Sequence, residues 1–209
     1  MFSLQTIFGK GDKFYGLLEA SAESASSSAR ALIELLSTPA TQQSLDKFKQ
    51  ARRREKDLFA QISEELVKTF VTVLDREDIE ALNSALYKIP KIIEKFAERY
   101  TLALGRMGDV DFTDRAAMLE QACEVLEKMV GVLRKGMDLD EIKKLNDQLQ
   151  TIEAEADRQI LELYQDAYAN ESDPIRYLVK RDLFEILEKA IDRCRDAGNV
   201  VYHIILKNS

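Results

Sequence analysis

One pattern governs this 209-residue sequence: apolar residues return every third or fourth position almost without interruption, and strict apolar–polar alternation is absent. A helix closes its backbone hydrogen bonds within itself, so such a chain folds by packing amphipathic helices against one another. Breakers are scarce, with three prolines and eight glycines, and they set the ends of the elements. The period predicts an all-α fold of six long helices, at about 11–37, 40–72, 76–104, 113–136, 139–169 and 174–206. Thr38-Pro39 separates the first two. Asp75 is expected to cap the third, with Glu77 and Asp78 in its first turn, where the helix dipole favours negative charge. Gly105 and Gly108 end that helix, Thr113 is expected to cap the fourth, and Gly136 closes it. Ser172-Asp173-Pro174 supplies a cap and then proline at the first helical position of the sixth. Pro90 lies inside the third helix, where loss of a backbone donor predicts a kink. Short connections between long helices make antiparallel neighbours, hence a bundle.

The layout repeats after about 100 residues, which predicts a single domain of two pseudo-symmetric three-helix bundles, residues 1–106 and 107–209. A spacing of 100 between the second and fifth helices sets Asp57 opposite Asp157, Arg53 opposite Glu153 and Glu55 opposite Glu155. The third and sixth helices likewise match, with Tyr87, Lys91 and Lys95 opposite Glu188, Asp192 and Asp196.

Charge narrows the function. The formal net charge of −7 argues against a dedicated nucleic-acid binder. No apolar run approaches the length of a membrane span, and the opening MFSLQTIFGKGDKF lacks the features of a secretion signal, so a cytoplasmic protein is expected. Met1, Phe2, Leu4, Ile7 and Phe8 are expected to dock on the bundle itself. Cys123 and Cys194 sit in apolar rows and read as core residues of a reducing compartment.

Two acidic rows stand out. Glu153 and Asp157 lie four apart on the fifth helix, and Glu188, Asp192 and Asp196 form a row at the same spacing on the sixth. Like charges at this spacing cost a few tenths of a kcal/mol per pair unless something cationic offsets them. Facing one another, these rows would suit a hard divalent cation or iron, which take oxygen ligands. The lone His203 belongs to no Glu-x-x-His pair, which argues against a di-iron oxidase site. Rows of this kind are more often solvated helix faces, and Arg158, Arg193 and Arg195 offer neutralisation without a metal. Lysines and an arginine replace most of these acids in the first half, where Asp57 and Glu55 are the remnant. The basic run Lys47 to Lys56 reads as a solvated face balanced by nearby acids, with an anion such as phosphate, an acidic partner or a lipid head-group surface as the alternatives.

Several segments together resemble the PhoU-like family, in its Pit accessory protein branch of phosphate transport regulators. They are FGKGDKFYGLLEASAESASSSARALIELL, ELVKTFVTVLDREDIEALNSAL with its Thr-Phe and Asp-Arg-Glu-Asp junction, IEAEADRQI, and LEKAIDRCRDAGNVV, and the match spans essentially the whole chain. The resemblance implies two three-helix bundles whose Glu/Asp-x-x-x-Asp motifs bind metal. Here these are Glu153 with Asp157 and Glu188 with Asp192, with Asp196 a turn further along. It also implies a non-enzymatic regulator acting beside a Pit-type membrane phosphate transporter or its signalling proteins, at the inner face of the membrane, and compatible with a homo-oligomer. A metal-dependent enzyme acting on phosphoesters and a metal-free helical adaptor are the alternatives. No Ser or Cys pairs recognisably with His203, and no Gly-rich phosphate loop is present.

Overall fold

The computed structural model describes residues 4–106 and 110–209, with side chains from Lys13 onward. The N-terminal apolar residues and Gly108 therefore lie outside the described side chains. Among the described residues six α-helices form and no strand does: α1 (Leu4–Ser37), α2 (Asp46–Lys68), α3 (Arg76–Ala103), α4 (Thr113–Arg134), α5 (Leu139–Asn170) and α6 (Pro174–Lys207). Single 3-10 turns follow α1 at Ala40–Gln42 and α3 at Leu104–Arg106.

The second helix is shorter than its periodicity predicts. The Gln43 amide donates to the carbonyls of Leu35 at 3.1 Å and Thr38 at 3.0 Å. The Leu35 carbonyl also accepts from the Thr38 N–H at 3.2 Å, so side chain and backbone together finish one helix and hold residues 40–45 out of the next. At the other end the Arg76 guanidinium takes the Thr69 carbonyl at 2.6 Å and the Leu66 carbonyl as well, stopping α2 at Lys68. Two expected caps also differ. Asp111, not Thr113, caps α4 by accepting from the Thr113 backbone N–H at 2.8 Å. Asp75 makes no side-chain cap; its carboxylate pairs with Lys207 instead. Asp173 does cap α6, accepting from Ile175 at 2.8 Å and Arg176 at 3.3 Å. Asp138 caps α5 in the same manner. Gly136, at φ 109°, turns the chain after α4, and the Met137 N–H reaches back to the Val132 carbonyl at 3.1 Å. Pro90 is buried within α3, whose helical span continues through it.

The helices pack as α1–α2–α3 and α4–α5–α6, joined where α1 meets α4 and α3 meets α6. Ala22, Ala25 and Ala29 of α1, with Ala116 and Ala122 of α4, are fully buried, and such small side chains allow close helix approach. The α3–α6 pair is antiparallel, since Lys207 bonds Asp78 at 3.2 Å while Arg99 meets Asp182 at 3.4 Å near the opposite end. Phe96, Tyr100, Phe112 and Phe184 stack there across the two halves. One hydrophobic core runs continuously through all six helices. Each fully buried Leu, Ile or Phe in it contributes about 1.5–3 kcal/mol. Cys123 and Cys194 are free thiols inside this core, their Sγ atoms 3.6 Å apart, as the apolar rows predict.

Candidate metal centre

The buried stripe of α6 contains Leu187, Ala190, Ile191 and Cys194, and that of α5 contains Leu149 and Ala156. Packing these stripes together fixes the rotation of both helices, and the acids beside them follow. Asp157 comes to face Glu188 and Asp192, and one oxygen from each lies within 4.8 Å of the others. Asp157 is exposed, while Glu188 and Asp192 are half-buried.

The electrostatics mark this trio as short of positive charge. Burial and then the charges of Asp192 and Asp157 push the Glu188 carboxyl up to about 7. Burial and then Asp157 and Asp196 raise Asp192, while its hydrogen bond with Glu188 opposes the shift. The three candidate arginines serve other acids. Arg158 bonds Glu155 and Glu162 at 2.5 Å each. Arg193 bonds Asp196 at 2.7 Å, and Arg195 lies 3.4 Å from Glu153 while donating to Asn146 at 2.7 Å. Among the described residues none of the trio forms an ion pair. The five expected acids therefore divide: three converge, while Glu153 and Asp196 are held by arginines at the margin.

A crevice beside Glu188, lined also by Arg115, Ala156 and Phe184 among others, has room for only about 10 Å³. That is at the lower limit for a single water and far below a substrate pocket. A larger cavity of about 430 Å³ lies toward the α5–α6 turn and contains no member of the trio. This arrangement can hold an ion at a groove.

The first-half remnant separates in another way. Asp57 is exposed and remote from any such cluster among the described residues, while Glu55 is fully buried and accepts from the Ser21 hydroxyl at 2.6 Å. Burial pushes Glu55 above the usual carboxylate range despite that bond. Arg52 is nearly buried. It lies 3.3 Å from Glu94, donates to the Tyr87 hydroxyl at 3.1 Å and stacks over that ring at 4.7 Å. The same spacing along the chain that joins Arg52 to Glu153 joins Glu94 to Arg195. The two ion pairs occupy matching places with their signs reversed. The registers of α2 and α5 thus differ by one residue from the sequence alignment: Lys56, not Asp57, stands where Asp157 does, and Arg52 where Glu153 does. Apolar patterning alone does not resolve a one-residue slip on a helix with a wide buried face. The long-range ion pairs do. In the basic run, Lys47 pairs with Glu34 and Arg54 with Glu23 at 2.8 Å, as on a balanced, solvated face, whereas Arg52 of the same run is buried.

No family model matches the chain. A Bacillus subtilis relative, UPF0111 protein YkaA, is 25% identical over 145 residues, covering 69% of this chain and 70% of its own. A Rhizobium meliloti protein provisionally named a Pit accessory protein is 20% identical over 201 residues, covering 94% of each chain. Among solved structures, a PhoU-like protein of Shewanella oneidensis superposes with a TM-score of 0.78 at 17% identity, over 93% of this chain and 99% of its own. PhoU of Pseudomonas aeruginosa superposes with a TM-score of 0.66 at 16% identity, over 99% and 98%. The fold is therefore PhoU-like, as the sequence resemblance implies. No helix among the described residues is long and apolar enough to cross a membrane.

Proposed function

We propose that the chain is a non-enzymatic regulator or accessory protein of phosphate transport, acting at the cytoplasmic face of a Pit-type transporter. The observation that carries this reading is full-length similarity of two independent kinds: a PhoU-like fold along 93% of the chain, and sequence similarity to a relative provisionally named for Pit along 94% of it. We read the chain as one domain of two repeats, 1–106 and 107–209, in which the second repeat holds a divalent or iron-type cation. Asp157, Glu188 and Asp192 supply its oxygens, with Glu153 and Asp196 beside them. The donor set fits a hard cation: three carboxylates converge with no ion pair among the described residues, and burial and its acidic neighbours push the Glu188 carboxyl up to about 7. Bound there, a cation would supply fixed positive charge at an open groove, the chemistry that attracts an oxyanion such as phosphate. An enzyme acting on phosphoesters is not favoured, because the similar proteins carry accessory or PhoU-like names. Deleting the gene and measuring radiolabelled phosphate uptake in replete and starved cells tests the proposal. Altered uptake, or an altered starvation response, is expected. Unchanged values for both would overturn it.

A further inference from the structure

The turn between α2 and α3, part of the segment ELVKTFVTVLDREDIEALNSAL, serves neither the core nor the acidic trio. Its apex is apolar and open. Phe70 is 94% exposed, Val67 83% and Val71 54%. Single exposed apolar residues are commonplace, but three adjoining ones with an aromatic at the tip form a patch.

The turn is held on both flanks. Thr69 and Leu74 are buried, at 3% and 2% exposure. The Thr69 N–H donates to the Glu65 carbonyl at 2.9 Å, and the Thr72 hydroxyl to the Leu74 carbonyl at 2.7 Å. Arg76 clamps the Leu66 and Thr69 carbonyls, and Asp75 is tied to Lys207. The Thr-Phe and Asp-Arg-Glu-Asp elements of the segment thus form one device, in which the polar residues fix a turn that projects Phe70.

Charge decides among occupants. The neighbouring cations are engaged: Lys68 with Glu64 at 3.2 Å, Lys207 with Asp75 and Asp78, and Arg76 with backbone carbonyls. Glu77 and Glu80 add exposed negative charge at the start of α3. This surplus of acid beside the turn repels an anionic lipid surface and suits a basic protein surface with an apolar recess. Cytoplasmic loops of membrane proteins are rich in Lys and Arg. We propose that Phe70, flanked by Val67 and Val71, is the anchor by which this protein docks on a Lys/Arg-rich cytoplasmic loop of its transporter. This rests on the regulator reading above and names the surface that performs it.

The test is binding of the full chain to the Pit-type transporter of the same cell, in nanodiscs of phosphatidylethanolamine and phosphatidylglycerol, with empty discs of the same lipids alongside. Wild type should bind transporter discs, bind empty discs far more weakly, and lose affinity as salt rises. Phe70→Ser should weaken binding about tenfold or more, as for a central aromatic anchor, with an unchanged melting temperature. Equal binding of Phe70→Ser would overturn the docking proposal and leave the regulator reading standing. Equal binding to empty discs would assign the tip to lipid instead. A wild-type dimer that Phe70→Ser converts to monomer would assign it to a second copy. Absence of wild-type binding to transporter discs would overturn both proposals.

Discussion

The α2–α3 and α5–α6 hairpins present nearly the same pattern of buried positions and opposite electrostatics. Phe48 and Leu149, Ile89 and Ala190, Ile93 and Cys194, and Ala97 and Gly198 hold matching places in the core at one constant spacing. At the groove beside that core, Arg52–Glu94 in one hairpin becomes Glu153–Arg195 in the other. An ion pair survives such an inversion because Coulomb attraction does not depend on which partner carries which sign. A three-residue cluster has no such symmetry. Lys56, Tyr87 and Lys91 stand where Asp157, Glu188 and Asp192 converge. Three carboxylates meet in one groove, and two lysines and a tyrosine stand at the matching spacing in the other. Apolar patterning sets the scaffold, and a few outward residues decide what each half can hold.

The largest expected effect falls on the pair that is more buried. Arg52→Ala strands Glu94 and removes the cation stacked on Tyr87, and should cost about 2–3 kcal/mol in urea unfolding. The inverted double variant Arg52→Glu with Glu94→Arg should recover part of that loss, since the second half is built that way. A double variant worse than the sum of its single changes would break the comparison. Arg195→Ala should cost less, about 1 kcal/mol, because its groove is more open. It should also strengthen Mn²⁺ binding, since Glu153 is then freed beside the trio. Weaker Mn²⁺ binding in that variant would count against the proposed site.

The pH response distinguishes the halves next. The folded-state value of Glu188, about 7, lies above its ordinary value of 4.5, so between the two the folded chain holds a proton that the unfolded chain has released. Its contribution is therefore fully present at low pH and declines as pH rises through about 7. Asp192 and Glu153 are raised as well and act in the same direction. The metal-free protein should melt at lower temperature as pH rises through this window, and Asp192→Asn should flatten that slope. An unchanged slope in the variant would remove the trio as its source. The smallest effect is expected at Asp57, which is exposed: Asp57→Asn should stay within about 0.5 kcal/mol of wild type.

Much of this was legible from residue order. Periodicity and breakers give six helices, Asp173-Pro174 gives a true helix start, and the rows at Asp157, Glu188 and Asp192 give the trio. The missing parts depend on contacts between residues far apart in sequence. Gln43 and Arg76 shorten α2 by reaching carbonyls of the preceding turns, and no periodicity reports that. The departure of Glu153 and Asp196 from the trio follows from which arginine each one meets. The one-residue offset between α2 and α5 emerges only once Arg52 is seen on Glu94 and Arg195 on Glu153. The reversed signs at these four positions are a signal the sequence does carry, readable when the repeats are aligned by charge exchange as well as by identity.

The central claim is that one groove holds a cation and its counterpart does not. Calorimetric titration of Mn²⁺ into chelator-treated protein above pH 7, where Glu188 is mostly ionised, tests it most directly. The account predicts one site per chain, abolished by Asp192→Asn and unchanged by Asp57→Asn. Absence of binding heat, two sites per chain, or full binding by the Asp192→Asn variant would contradict it.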